Sequence, residues 1–488
     1  MVHRSLYVMA IPWIEEAIAV IGRKLDFYPD LIKIILCLVL NYPLSAYISR
    51  IPVKWRPLYI NAVGLFYLVG IFSHYQGVVY LLSQCLLAYF ICFMPVGKAA
   101  PWINQCIQVG LLMVTHCAEQ FSGHDYVNTI GISGTQMILV IKTTSFVWDF
   151  YDGHRKGPLT PHQEASKIVQ LPSLVEYLSW CFFFPGVLTG PSCQFSDYHE
   201  WLTRSTIAVT HPDGKVEHRK IPKGYKAAAI KTIEAIGYAV LYFNTGSITS
   251  QEFLLKGGWA ASPLVQRIVY LGLLSMCYQL KYYVAWTFAD AACILCGLGY
   301  NGPHPTKPGR YKWDKLQNVR PLQMVTAQNT HGIVANWNIN TASWLRHYVY
   351  ERVTPAGKRA GGQSAAITFL FSALWHGTRP GYYFTFILIA FMQQFGRLFR
   401  RKLRPLVLGT NFKRAYDVCS WLVTQCTLGF AVQPFILLDV KPSLYVWNHV
   451  YYWPLIGFAA SYALLVWPFG KTFSTASKNL HRELSSVE

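Results

Sequence analysis

Long apolar runs, separated by short polar stretches, recur along most of this chain. A helix crosses a bilayer with about 17–25 predominantly apolar residues. Runs approaching or reaching that length lie near 31–49, 58–72, 78–94, 103–117 and 227–243, and again near 264–280, 366–374, 382–391, 418–438 and 446–466. Two more, near 137–150 and 174–188, are apolar but hold charge, Pro or Gly. Segments of that kind are often bent or re-entrant and line cavities. The pattern predicts an all-α, polytopic membrane protein with about eleven transmembrane or embedded helices. Residues 1–22 are apolar but contain Glu15 and Glu16 and lack the start and cleavage pattern of a signal peptide. They read as an amphipathic helix on the membrane surface, with the first true span acting as the targeting signal. No repeat or linker is visible, and the loops are shorter than the roughly 50 residues of an independent domain. Residues 1–488 therefore read as one membrane domain.

Composition supports this. Only 14% of the 488 residues are charged and 53% are hydrophobic, against about 25% charged in an average soluble domain. The net charge of +20 would suit nucleic acid, but the basic residues cluster between apolar runs. They fall in 204–226 (Lys215, Arg219, Lys220, Lys223), 307–320 (Arg310, Lys312, Lys315) and 397–414 (Arg400, Arg401, Lys402, Arg404), and in a tail, 470–488. The positive-inside rule and anionic lipid explain that pattern better, and no nucleic-acid partner is expected. With all four regions cytoplasmic, 366–374 and 382–391 form a hairpin whose tip, 377–380, points to the other side. The 285–298 stretch is then only partly embedded. The longest polar stretch, 299–334, reads as an ordered lid or loop. Many of the twelve cysteines lie inside apolar runs, which suits reduced, buried thiols. The Cys293/Cys296 pair has no second such pair, so packing is preferred over a metal site.

Two stretches carry candidate chemistry. In Trp375-His376-Gly377-Thr378-Arg379-Pro380-Gly381-Tyr382-Tyr383 a histidine ends an apolar helix. Ionisable residues in a membrane are costly and tend to be functional, and imidazole suits proton transfer near neutral pH. On residue chemistry alone, His376 is either such a group or a histidine satisfied within a packed bundle. In Asn336-Trp337-Asn338-Ile339-Asn340-Thr341 three asparagines precede a predicted helix. That helix starts at Thr341, which would cap it, with Trp344, Leu345, Tyr348 and Val349 on one face. The asparagines alone read equally well as turn residues.

Together these motifs resemble the membrane-bound O-acyltransferase family, in its lysophospholipid acyltransferase branch. The resemblance rests on Trp-His-Gly-x-x-Pro-Gly-Tyr-Tyr from Trp375 and on Trp-Asn-x-x-Thr-x-x-Trp-Leu from Trp337. It extends through Gly131-Ile132-Ser133-Gly134, Trp148-Asp149-Phe150-Tyr151-Asp152-Gly153, Leu188-Thr189-Gly190-Pro191 and Lys281-Tyr282-Tyr283-Val284-Ala285-Trp286. It implies helices around an intramembrane catalytic chamber, in the endoplasmic reticulum membrane. It also implies a catalytic pair, His376 and Asn338. Trp337, Thr341, Trp344 and Trp375 are chamber-lining candidates, each as readily core residues.

An acyl-CoA thioester is already activated, so the reaction needs a base and oxyanion donors. No Gly-x-Ser-x-Gly elbow is present, so direct transfer without an acyl-enzyme is expected. Acyl-CoA is expected as co-substrate, with no bound cofactor and no metal. The lysophospholipid would arrive from the bilayer, among membrane lipids. Arg310 and Lys312 are candidates for the CoA phosphates, although topology alone also explains them. Two other readings stay open: the same chemistry with a sterol, diacylglycerol or protein acceptor, and a transporter with broken spans. The Phe-Tyr-x-Asp-Trp-Trp-Asn run typical of the sterol and diacylglycerol branch is absent, and no inverted repeat favours a transporter.

Overall fold

The computed structural model describes residues 11–94, 97–122, 129–203, 206–210, 216–220, 222–246, 250–307, 309–355 and 361–466. The tail 470–488 and Lys215 lie outside them. Among the described residues the architecture is all-α apart from a two-stranded antiparallel sheet, Thr206–Thr210 with Val216–Lys220, in the first basic loop, and an isolated antiparallel bridge between Pro303 and Tyr311. The chain forms two compact units interleaved in sequence. The first comprises Met1–Ile236, Val284–Asn318 and Ser343–Tyr348; the second comprises Gly237–Tyr283, Val319–Ala342 and Val349–Glu488.

In the first unit, the helix Pro12–Leu25 takes up the later part of the expected 1–22 segment, whose first ten residues lie outside the described ones. Ile14 and Ile18 pack on Ile32 of the next helix, Pro29–Ile48, while Trp13 and Ile21 face outward. Glu15, which argued against a signal peptide, binds Lys33 of that helix at 2.9 Å. The unit's core is aromatic: Phe146, Tyr177, Trp180, Phe184 and Phe195 are all buried together.

Through that core runs the helix Ser133–His154. The expected bend or re-entrance near 137–150 is absent: the helix is continuous. Its polar residues explain why. Thr143 and Thr144 donate to Leu139 O and Val140 O one turn back, at 2.7 and 2.6 Å. Lys142 donates to Trp180 O at 2.6 Å and Cys181 O at 3.2 Å. Those carbonyls end the short helix Leu174–Cys181, where a cation is favourable. The 174–188 stretch does break, passing from that helix into turns through the buried Phe182, Phe183 and Phe184.

The run near 264–280 and most of the 285–298 stretch form one helix, Leu264–Leu295, of 32 residues, about 48 Å long at 1.5 Å per residue. One further expectation changes: residues 397–402 are not loop. They form the last turns of Pro380–Lys402, where basic side chains complement the helix C-terminus. All twelve cysteines are free, and Cys293 and Cys296 are both buried.

Among the described residues two helices, Pro29–Ile48 and Lys413–Leu437, are long and apolar enough to cross a membrane, and Tyr75–Ile91 and Trp453–Leu465 are shorter apolar helices. The long helix Tyr225–Thr245 carries apolar residues on its outside. Ile230, Ile233, Ile236, Val240 and Leu241 are all exposed. Water would disfavour such a stripe, whereas lipid would cover it.

Candidate active site

His376 is the last residue of the helix Gly362–His376. Gly377 stops that helix with φ 139°, in the region where a side chain is strained and glycine is not. Its N–H returns to Ala373 O and Leu374 O at 3.2 and 3.1 Å. Pro380 then opens the helix Pro380–Lys402, its fixed φ suiting the first helical position. The histidine therefore stands at the corner of a helical hairpin, half-buried.

That corner is fastened to a third helix, Lys413–Leu437, by its internal proline. Pro434 has no N–H to give, so the Phe430 carbonyl takes the Trp447 indole N–H instead, at 3.3 Å. One residue on, the Thr385 hydroxyl inserts into the opened ladder. It donates to Ala431 O at 2.8 Å and accepts from Phe435 N at 3.0 Å. Gly381 N donates to Leu438 O at 2.8 Å. A Cβ on Gly381 would stand 2.0 Å from Pro434 O and 2.7 Å from Leu438 O. The motif glycine is thus explained by contact between backbones.

The consequence is an aromatic wall around the imidazole. Phe435 meets the His376 ring edge-on at 5.1 Å, Phe386 stacks on it at 5.0 Å, and Tyr382 lies at 5.7 Å. Trp375, buried, is perpendicular to it at 4.7 Å. Gly381→Ala is expected to lower stability by about 1–3 kcal/mol, because no flexible side chain is available to yield. Thermal unfolding in detergent checks this, with Gly237→Ala, which meets nothing within 4 Å, expected not to destabilise.

Asn338 lies in the same unit as His376. Its φ is 44°, a left-handed conformation that asparagine tolerates better than most residues. Its carbonyl accepts the Ala342 N–H at 2.9 Å, so Asn338 heads the helix Ile339–Leu345. This corrects the expected start: Thr341 is a buried residue inside that helix, not its cap. The helix then widens into a π-helical turn, Arg346–Tyr350. Trp337 packs edge-on against Tyr282 at 5.4 Å and Tyr283 at 6.1 Å. Trp337, beside Asn338, is thus packed on two adjacent tyrosines of the helix Leu264–Leu295.

The remaining candidates lie in the first unit. Trp344 is buried, its indole N–H donating to Thr144 Oγ1 at 3.0 Å. Tyr348 donates to Asp149 Oδ1 at 2.7 Å and Ser166 to the same oxygen at 3.0 Å. Arg310 and Lys312 lie on a small hairpin closed by Asn301 N to Lys312 O and His304 N to Arg310 O, at 2.9 and 2.8 Å. Arg310 is exposed and Lys312 half-buried. Lys315 of the same basic stretch is engaged with Asp197 at 2.7 Å. Sequence reasoning did not single out Phe386, Phe435 or Thr385. They are ordinary apolar-span residues by spacing, and only the proline-opened ladder brings them to the histidine.

Outward apolar faces are those of a membrane protein, and one compact unit holds both the histidine corner and the asparagine turn. Residues 90–433 match MBOAT, the membrane-bound O-acyltransferase family, and the chain belongs to it. It is accordingly a multi-pass membrane protein. It is 36% identical over 461 residues to the lysophospholipid acyltransferase of Saccharomyces cerevisiae, covering 89% of this chain and 74% of that protein. It is 34% identical over 438 residues to the lysophospholipid acyltransferase of Schizosaccharomyces pombe, covering 88% and 84%. Against the human membrane-bound glycerophospholipid O-acyltransferase 2 it is 29% identical over 445 residues, covering 88% and 81%.

Proposed function

We propose that this chain, a lysophospholipid acyltransferase, takes its acyl group from acyl-CoA and passes it directly to the free hydroxyl of a lysophospholipid. His376 is the general base and Asn338 the polar group that orients it or holds the oxyanion. The observation that carries this reading is the histidine corner, walled by aromatic rings and in the same compact unit as the Asn338 turn. In the step itself, His376 accepts the acceptor's hydroxyl proton as the oxygen attacks the thioester carbon. The negative charge that develops on the carbonyl oxygen is met by an amide donor of Asn338. Collapse breaks the carbon–sulfur bond, and the proton passes from His376 to the departing CoA sulfur. The new ester bond and free CoA thiol account for every atom.

Trp337, Thr341, Trp344 and Trp375 are proposed to line the substrate chamber, and Arg310 and Lys312 to meet the CoA phosphates. The family match, 90–433, runs through both compact units, which supports treating 1–488 as one catalytic domain with about eleven spanning or embedded helices. The endoplasmic reticulum membrane is the proposed location, as the family resemblance implies.

The test is acyl transfer from labelled oleoyl-CoA in membranes containing the chain, offered a panel of lysophospholipids, cholesterol and diacylglycerol. Diacyl phospholipid is the expected product. A labelled sterol ester or triacylglycerol instead would move the acceptor assignment. A kinetically competent acyl-protein would overturn direct transfer.

A further inference from the structure

Lys281 lies near the middle of the helix Leu264–Leu295. Among the described residues it has no carboxylate partner: its ammonium rests on two tyrosine faces of its own helix, 3.8 Å from the Tyr278 centroid and 5.3 Å from that of Tyr282. Aromatic faces attract a cation, but they neutralise no charge. Half-buried and without a carboxylate against it, this ammonium leaves charge-assisted donors available to an anion. The buried lysine of the first unit, Lys142, makes a useful contrast, because its ammonium is consumed by two backbone carbonyls.

One of the rings beneath Lys281 packs on a candidate site residue. Tyr282 meets Trp337 at 5.4 Å, next in the chain to Asn338, which lies in the same compact unit as His376. Resting on the proposed acyl transfer, the geometry points to Lys281 as the residue that binds the phosphodiester of the lysophospholipid acceptor. Two arguments select the acceptor over the donor. The acyl chain and thioester are uncharged, and the CoA phosphates stand a whole pantetheine arm away from the reacting carbon. In the lysophospholipid, by contrast, the phosphate is only a few bonds from the hydroxyl that His376 must deprotonate. A cation one ring away from Trp337, beside the Asn338 turn, therefore matches the acceptor's charge. It also explains how an apolar chamber would prefer a phospholipid over a neutral glyceride carrying the same hydroxyl.

The experiment uses the full chain in detergent micelles, with Lys281→Gln and Lys281→Arg. For Lys281→Gln, the KM for lysophospholipid is expected to rise about 10- to 100-fold, the loss of one charge-assisted hydrogen bond, with the KM for oleoyl-CoA changed less than about twofold. Lys281→Arg should recover most of the affinity. Monoacylglycerol of the same chain length, as acceptor or competitor, should bind wild type and Lys281→Gln equally. A rise confined to the oleoyl-CoA KM would overturn the assignment in favour of the donor. Equal losses with both acceptors, unrescued by arginine, would reduce Lys281 to a packing residue. Unchanged kinetics in Lys281→Gln, with an active wild type, would refute this inference alone; a wild type that acylates no lysophospholipid would refute the proposed function.

Discussion

His376→Ala is expected to reduce kcat by about 10²- to 10⁴-fold, the usual contribution of a positioned general base, with the protein still folded. The fold is expected to survive because the hairpin corner is held by other groups: Gly377 in its left-handed conformation, the Gly381–Leu438 backbone bond and the Thr385 hydroxyl inside the opened helix. The imidazole packs on Phe386 and Phe435 but is itself half-buried, so its removal leaves a partly solvated gap. His376→Gln separates the two roles. Glutamine fills similar space and can hydrogen-bond, but it cannot take up a proton near neutral pH. Loss in both variants, at equal protein level and unfolding temperature, identifies the base. Recovery in His376→Gln would mean that the ring serves only to pack. Undiminished turnover in His376→Ala would remove it from the chemistry.

The legible part of this molecule was the part carried by local pattern. Helical content follows from long apolar runs, and the hairpin corner follows from Gly377 and Pro380, whose backbone preferences act at their own positions. The Asn338 turn was also visible, since asparagine tolerates the left-handed conformation found there, but the helix start was misplaced by reading Thr341 as a cap. The misplacements share a cause. Polar residues in the 137–150 stretch were read as breaking a helix, whereas their hydroxyls and Lys142 are satisfied by carbonyls. Arg397, Arg400, Arg401 and Lys402 were read as loop, although arginine and lysine are good helix formers. Long-range geometry left no local mark at all. Pro434 and Thr385 are separated by some fifty residues, and nothing near either one announces that the hydroxyl enters the ladder and sets Phe435 against His376.

The same geometry assigns a reason to each motif position after the histidine. Gly377 permits the stop, Pro380 the restart, and Gly381 the contact with the broken end of Lys413–Leu437. The motif encodes a joint between three helices, and the imidazole is placed by that joint.

Asn338 gives the second large effect, and its unusual backbone makes the test sharp. At φ 44° two different things are lost on mutation: the amide, and the tolerance for a left-handed conformation. Asn338→Gly removes only the first, since glycine adopts this conformation without strain. If the amide meets the developing oxyanion, kcat should fall about 10²- to 10³-fold, as on loss of one oxyanion donor. KM for both substrates and the unfolding temperature should stay near wild type. Asn338→Ala adds a strain of about 1–2 kcal/mol at the head of Ile339–Leu345 and should lower the unfolding temperature as well. Asn338→Asp keeps the shape and the turn but exchanges the amide donors for a negative charge, so its kcat should fall at least as far as that of the glycine variant. A glycine variant with wild-type turnover, beside an impaired alanine variant, would make Asn338 a turn residue and leave His376 without its proposed partner.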